Sequence, residues 1–386
     1  MPKSQRSARL TQSARDTLGY IVRNGEATRP MLCADLDLSR PTASAAVAEL
    51  GAWDLVEEVE IRPGSTGRSA AVYALSPKSG YVLGLDVGST AVRVVAARID
   101  GSYITERAVR RRKPGRLNAW SELTATKRLL ADVQHRLSDG FGELRAIRIA
   151  VPTTVRPDGS TTEGTEEWRS FLAEIRAATV GAQNPGTHME NNVNCSAWAE
   201  HHGGAARGRP TSVFLQVGVN IGLGIVHDGK LLTGANGAAG EISFMPYPWR
   251  PGARYSPEAL EQWIGADHWL SRVQASWRGE GAPRSARDIC DAATAGDAHA
   301  RAAVRDHARE IGRFAAAIVT VIDPGMIVMG GGVGQHPMIV TGVANYLADL
   351  PWPTQVVPSA LGETATAQGA ARLAAADAVG RLLNPR

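Results

Sequence analysis

The sequence has few cysteines, few aromatic residues and no long apolar run. Its three cysteines, Cys33, Cys195 and Cys290, lie far apart and form no C-x-x-C pair, which argues against a disulfide framework or a cysteine zinc site. The longest apolar stretch, residues 314–322, is far shorter than the roughly 18 residues of a membrane span. The polar, arginine-rich N-terminus lacks the apolar core of a signal peptide. We therefore expect a cytoplasmic protein.

The composition is that of a globular protein with more than one domain. The chain has 386 residues, of which 44% are hydrophobic and 41 are glycine, while aromatic residues make up only 5%. Many glycine turns and few aromatic side chains favour an α/β protein over a β-sandwich. The net charge of +4 permits a nucleic-acid partner without requiring one.

The first 75 residues have the pattern of a winged helix-turn-helix. Apolar residues recur at helical spacing over residues 11–24, where the helix ends at an Asn-Gly pair. Thr28 and Ser39 are N-cap residues for two further short helices, each with proline in its first turn. The strand-like runs LVEEVEIRP and AAVYALSP then flank the glycine-rich segment GSTGRS, which predicts a hairpin wing. Residues 1–78 are therefore predicted to bind DNA.

The third helix is the candidate recognition helix. Its N-terminus points backbone N–H groups toward phosphate, and its short polar side chains can reach base edges in the major groove. The candidate DNA contacts are Ser39, Arg40, Pro41, Thr42 and Ser44, with Arg40 best suited to a guanine or a phosphate. Arg68 at the wing tip is a further candidate for the DNA backbone or a minor groove, or else an ordinary exposed hairpin arginine. A protein-binding three-helix module would have the same pattern.

The segment from Ser39 to Leu50, with the glycine-rich wing before Tyr73, resembles the DNA-binding half of the ROK family, which includes repressors and kinases. From residue 79 the resemblance continues over nearly the whole chain. The segment LDVGST is similar to the family's first phosphate loop, and MENNVNCSAWAE is similar to its sugar-site motif. QVGVNIGLGIVHDGKLLTGANGAAGEI is close to the family signature. VIDPGMIVMGGGV and LGETATAQGAARLA resemble the nucleotide-side strand and the closing helix. The resemblance implies a two-lobed, actin-like sugar-kinase fold over residues 79–386. Lobe one would comprise about 79–190 plus the C-terminal helix, and lobe two about 191–365.

Departures from the family pattern argue against catalysis. The family's catalytic aspartate corresponds to Asn192, and an amide cannot accept the proton of a sugar hydroxyl. In the second phosphate loop, Val219 replaces a hydroxyl residue and Asn220 replaces a glycine that lets the backbone approach phosphate. We therefore expect no kinase activity, no bound cofactor and two degenerate phosphate loops. Their residues are Asp86, Gly88, Ser89 and Thr90 in the first and Gly218, Gly222 and Gly224 in the second.

The resemblance also implies a partly retained sugar pocket. Asn191, Glu241 and Glu261 correspond to sugar-contacting residues of the family, Asn192 lies beside them, and Phe244 stands where the family has histidine. Phenylalanine offers a ring face but no hydrogen bond, so the ligand is either less polar there or held differently. The alternative is a pocket that binds nothing and survives as scaffold.

No metal site is expected. The family's zinc knuckle would fall between Glu241 and Glu261, where the segment PYPWRPGARYSPEA contains no cysteine. The histidines at 201, 202 and 227 lack a third ligand at suitable spacing and are expected to be surface residues.

These features together predict a DNA-binding transcriptional regulator, either a repressor or an activator, and favour the repressor. It would form a homodimer or homotetramer on a roughly palindromic operator, and its kinase-like domain would sense a sugar or related metabolite through closure of the two lobes. Two alternatives stay open: a sugar kinase that also binds DNA, and a constitutive DNA-binding protein controlled by a protein partner.

Overall fold

A computed structural model describes residues 9–63, 69–88, 91–110, 119–137, 139–178, 186–245, 259–278 and 281–384. The chain divides into two compact units. The first comprises residues 1–149, 166–188 and 370–386, and the second comprises 150–165 and 189–369.

The first unit begins with three helices and a small antiparallel sheet. The helices are α1 (Gln12–Asn24), α2 (Arg29–Asp35) and α3 (Arg40–Ala52), and the strands are β1 (Glu26–Thr28), β2 (Val56–Arg62) and β3 (Ala70–Leu75). The strand order is β1-β3-β2. Both predicted N-caps are confirmed, because the side chains of Thr28 and Ser39 each accept a hydrogen bond from a backbone N–H in the first turn. Thr11 caps α1 in the same way, which was not predicted from the sequence. This is the arrangement of a winged helix-turn-helix.

The rest of the first unit is built around a five-stranded sheet with the order β6-β5-β4-β7-β8. Its strands are β4 (Tyr81–Val87), β5 (Ala91–Arg98), β6 (Tyr103–Arg110), β7 (Leu144–Val151) and β8 (Gly186–Asn191), and the last residues of β7 and β8 belong to the second unit. Two helices accompany the sheet, α4 (Ala119–Leu137) and α5 (Thr165–Ala178). β4 is buried almost throughout, as its apolar sequence predicts.

The second unit contains a second five-stranded sheet with the order β11-β10-β9-β12-β13. Its strands are β9 (Thr211–Val217), β10 (Ile221–His227), β11 (Lys230–Leu231), β12 (Met326–Gly330) and β13 (Gln355–Pro358). Its helices are α6 (Asn192–Gly203), α7 (Ala259–Ile264), α8 (Ala266–Ser276), α9 (Ala286–Ala295), α10 (Ala298–Ile322) and α11 (Pro337–Leu347). One large apolar core joins the sheet to α7, α8, α10 and α11.

The last helix, α12 (Ala365–Leu383), contains residues of both units. In the second unit it lies close to α6, because the Ser196 and Thr366 hydroxyls are 2.9 Å apart. In the first unit, Leu383 lies against α1, where a Cβ at Gly19 would be 3.4 Å from its side chain. Among the described residues, no helix is long and apolar enough to cross a membrane.

Candidate functional site

Two hydroxyl side chains, which contact each other, cap the N-terminus of α3. Ser39 Oγ accepts a hydrogen bond from the Thr42 backbone N–H at 3.2 Å, and it lies 2.7 Å from Thr42 Oγ1. These two candidate DNA contacts therefore form the cap that holds the helix start.

Arg40, Pro41 and Ser44 lie on the exposed side of α3. Within the described part of the chain, the side chains of Arg40 and Ser44 make no hydrogen bond or ion pair. A guanidinium and a hydroxyl are thus available to an outside partner at the first two turns of the helix.

The wing strand β2 has three glutamates and one arginine, Arg62, so its side chains are acidic on balance. Arg62 pairs with Glu26 and with Glu60, and its Nη2 donates to Glu26 Oε2 at 2.9 Å. Glu57 and Glu58 on the same strand are exposed. Residues 64–68, which include the candidate Arg68, lie outside the described residues.

In the second unit, Asn191 forms the N-cap of α6. Its Oδ1 accepts from the backbone N–H groups of Val193 and Asn194 at 2.8 and 3.3 Å. Its Nδ2 donates to the carbonyl oxygen of Thr153 at 3.3 Å. Asn191 therefore orients the helix start and fixes it to the segment that follows β7.

The neighbouring residue of that segment, Thr154, holds Glu241. The Thr154 hydroxyl donates to Glu241 Oε1 at 2.7 Å, and Thr154 is 7% exposed. Residues 153–154 thus connect Asn191 and Glu241, two of the pocket residues expected from the sequence. Sequence reasoning missed Thr154, and the only signal was a Thr-Thr pair directly after a buried strand.

The other pocket residues offer both polar and apolar surface. The Asn192 side chain is half-buried and has no hydrogen-bond partner among the described residues. Phe244, at the end of the short turn Ile242–Phe244, is 46% exposed. This turn contacts α7, which carries Glu261. The ring of Phe244 and the amide of Asn192 are therefore accessible from solvent.

The glycines assigned to the second phosphate loop divide into two groups. Gly222 and Gly224 lie within β10, where a Cβ would come 2.7 Å from Val193 Cγ2 and 2.6 Å from Ala197 Cβ respectively. Their lack of a side chain lets α6 pack directly on the strand. Gly218 lies before β10, next to exposed Val219, and a Cβ there would make only ordinary contacts, with Asn220 O and Gly332 N at 3.8 Å.

The first phosphate loop is described only at Asp86 and Gly88, because Ser89 and Thr90 lie outside the described residues. Burial raises the pKa of Asp86 to about 7, while the positive charge of Arg93, its partner across β4 and β5, lowers it. In the folded protein this carboxyl group therefore stays protonated to a higher pH than the carboxyl group of an exposed aspartate.

We predict that Asp86→Asn stabilises the protein more at pH 8 than at pH 5. A carboxyl group with a raised pKa in the folded state contributes stability below its unfolded value of about 3.9, and that stability is lost as the pH rises through about 7. Asparagine is neutral at every pH, so the difference in melting temperature, variant minus wild type, should increase with pH. Thermal scans at both pH values measure this. The exposed Asp349→Asn serves as the control, and an equal effect of Asp86→Asn at both pH values would contradict the prediction.

The described residues contain no group of three side chains that could hold a metal ion. The segment expected to replace the zinc knuckle, residues 246–258, lies outside them. Of the histidines expected at the surface, His202 and His227 are exposed. The prediction for His201 is wrong, because its side chain is buried and its Nδ1 lies 3.2 Å from Ser212 Oγ. It lies on the side of α6 that packs against β9.

Comparison with known proteins places these features in a family. The model of the ROK family matches residues 82–377. The xylose repressor of Bacillus spizizenii is 23% identical over 366 residues, which cover 91% of this chain and 92% of the repressor. The bifunctional enzyme NanE/NanK of Brucella melitensis is 32% identical over 277 residues, or 69% of this chain. The chain spans about half the length of these bifunctional relatives.

Solved structures show the same fold. A ROK family transcriptional regulator, a homologue of the Escherichia coli MLC protein, superposes with a TM-score of 0.75 at 18% identity and covers 97% of this chain and 98% of its own. A ROK family glucokinase from Streptomyces griseus, in complex with glucose and AMPPNP, superposes with a TM-score of 0.62 at 21% identity. It covers 76% of this chain and 99% of its own. The fold is therefore a mixed α/β one of the actin-like sugar-kinase type, as the sequence predicted.

Proposed function

Because the chain belongs to the ROK family, we propose that it is a cytoplasmic transcriptional repressor that binds DNA, senses a sugar or related small metabolite, and transfers no phosphoryl group. One observation carries the proposal: a winged helix-turn-helix precedes the region matched by the family model. The alignment with a xylose repressor extends over 91% of the chain, which supports a shared two-part organisation.

To bind DNA, α3 would enter the major groove, and the side chains of Arg40 and Ser44 would make its first contacts. A homodimer would read two half-sites about one helical turn apart, since closed two-fold dimers match palindromic operators. The wing would contribute less than in a strongly basic module. Residues 1–75 hold nine basic and nine acidic side chains, and Arg62 is paired with two glutamates.

On the sugar side, the pocket is organised for binding rather than for proton transfer. Glu241, held by Thr154, would accept hydrogen bonds from sugar hydroxyl groups, and Phe244 would stack against an apolar sugar face. Asn192 can donate to and accept from a hydroxyl group but cannot take its proton, which removes a general-base contribution of about 10²–10⁴ in rate.

Sugar binding would lower DNA affinity by favouring one of two pre-existing states. Helix α12 supports a structural route for this coupling. It contacts α6, whose N-terminus is in the sugar pocket, and its last turn contacts α1 of the winged helix.

The experiment that tests the proposal is a gel shift of the full-length protein on DNA from upstream of its own gene. Competitor DNA and physiological salt separate specific from purely electrostatic binding. We expect a discrete complex that a subset of added sugars dissociates. Failure of the folded protein to bind this DNA, and failure to select any sequence from random DNA, would refute the repressor.

A second candidate function, a sugar kinase that also binds DNA, is favoured by the 32% identity to NanE/NanK. We predict that the protein forms no ADP above background with Mg²⁺-ATP and glucose, xylose or N-acetylmannosamine. Asn192→Asp should raise ADP formation measurably but leave it far below that of a kinase, because Val219 and Asn220 still disturb the phosphate loop. A coupled ADP assay decides between the two functions, since sugar-dependent turnover by the wild type would support the kinase.

A further inference from the structure

On the solvent-exposed side of α3, hydrogen-bonding side chains are confined to the N-terminal half of the helix. Its exposed residues in the first three turns are Arg40, Pro41, Ser44, Ala45 and Ala48. The opposite side of the helix buries Ala43, Ala46, Val47 and Leu50 in the core of the winged helix. The helix therefore has a single exposed face, and the packing of the buried side fixes which residues form it.

Several polar residues of α3 are already engaged inside the module. Ser39 and Thr42 form the helix cap, with their hydroxyl oxygens 2.7 Å apart. Glu49 accepts from the Thr11 backbone N–H at 2.9 Å and from its hydroxyl at 2.6 Å. Glu49 is thus unavailable for the amino group of a cytosine, a contact that a helix glutamate otherwise makes. Among the exposed residues of α3, Arg40 and Ser44 have hydrogen-bonding side chains with no partner in the described part of the chain.

The middle of the exposed face consists of two methyl groups. Ala45 and Ala48 are three residues apart and so lie on adjacent turns of the same side of the helix. In the major groove, the C5-methyl group of thymine is the apolar feature that alanine contacts favourably, and no other DNA base carries it. Alanine side chains are also short, which lets the helix backbone come close to the base edges.

The net charge of the winged helix-turn-helix also indicates that α3 recognises DNA by close contact with the bases. Nine basic and nine acidic side chains in residues 1–75 leave no net charge, so the module has little long-range attraction for DNA. Specific binding then depends on close contact between α3 and the base edges.

We infer that Ala45 and Ala48 read the C5-methyl groups of thymines, so that the operator half-site has A·T pairs opposite the middle of α3. Arg40 lies about one and a half to two turns nearer the helix start. It contacts a guanine or a phosphate at the edge of that A·T segment. This inference rests on the proposed DNA-binding function and specifies the base pairs that the function requires.

The test uses duplex DNA in which deoxyuridine replaces thymine. This substitution keeps Watson–Crick pairing and removes only the methyl group. Full-length protein first selects its sites from a random duplex library with fixed ends. The selected duplex is then synthesised with deoxyuridine at one thymine position at a time, and each affinity is measured at constant salt.

We expect selected half-sites that contain A·T pairs, and an affinity about fourfold lower for each contacted methyl group removed, as for loss of one buried CH₂ group. Thymines outside the half-sites act as the matched control and should show no change. Equal affinity for thymine and deoxyuridine at every position of a selected site would overturn the inference while leaving the DNA-binding function intact. Failure to select any sequence would overturn both.

Discussion

Arg40→Glu will reduce specific DNA affinity at least about 100-fold while leaving the protein fully folded. The substitution removes a guanidinium group that contributes about 1–3 kcal/mol if it contacts a base, and it places a carboxylate against the DNA phosphates. Arg40 is the first residue of α3 and is exposed. An acidic side chain there is favoured by the helix dipole, so the melting temperature should be unchanged or slightly higher.

A fluorescence-anisotropy titration with the selected duplex measures this effect. Arg305→Glu is the matched control, because it makes the same change in net charge at an exposed residue of α10 in the second unit. We expect near-normal binding for the control. Equal losses for the two variants would mean that overall charge, rather than a contact of α3, determines the affinity.

Gly369→Ala will destabilise the protein by about 3 kcal/mol or more, at the upper end of the cost of overpacking. A Cβ at this position would lie 1.8 Å from the carbonyl oxygen of Cys195 and 2.5 Å from its carbonyl carbon. Both atoms belong to the backbone of α6, so no side-chain rotation can relieve the clash. The helices α6 and α12 must separate, and the melting temperature measured by calorimetry should fall by several degrees.

A second glycine of α12 provides the matched control. A Cβ at Gly380 would have no atom within 4 Å, and alanine costs less backbone entropy in a helix than glycine. Gly380→Ala should therefore stabilise the protein by about 0.5–1 kcal/mol. Opposite signs for the two variants are the expected result, whereas a neutral Gly369→Ala would show that α6 and α12 are less closely packed than described.

Local chemistry explains why the winged helix was predictable. Each of its three helices begins at a hydroxyl side chain that bonds to its own first turn, an interaction between residues three apart in the chain. The short strand β1 escaped prediction because it has only three residues and is formed by pairing with β3, more than 40 residues away. Nothing in the sequence Glu-Ala-Thr marks a strand.

The arrangement of the residues proposed to bind a sugar was predictable only in part. Asn191 and Glu241 were identified through family motifs, but their connection through Thr153 and Thr154 was not. That connection joins residues 38 and 87 positions apart. The roles of Gly222 and Gly224 were likewise hidden, because a glycine needed for phosphate approach and one needed for helix packing look alike in a sequence.

By itself the sequence determined the three helices and the hairpin strands of the winged helix and the family that the chain belongs to, and it led to the expectation that Asn192 stands where the family has its catalytic aspartate. Those properties depend on residue identity and on interactions within a few residues. Only the tertiary structure decided which polar groups remain available. Ser39, Thr42 and Glu49 are hydrogen-bonded, whereas the side chains of Arg40 and Asn192 have no partner among the residues that the structure describes. The reason is that a polar group forms a hydrogen bond with whichever partner the fold brings within about 3 Å. That partner can lie anywhere along the chain.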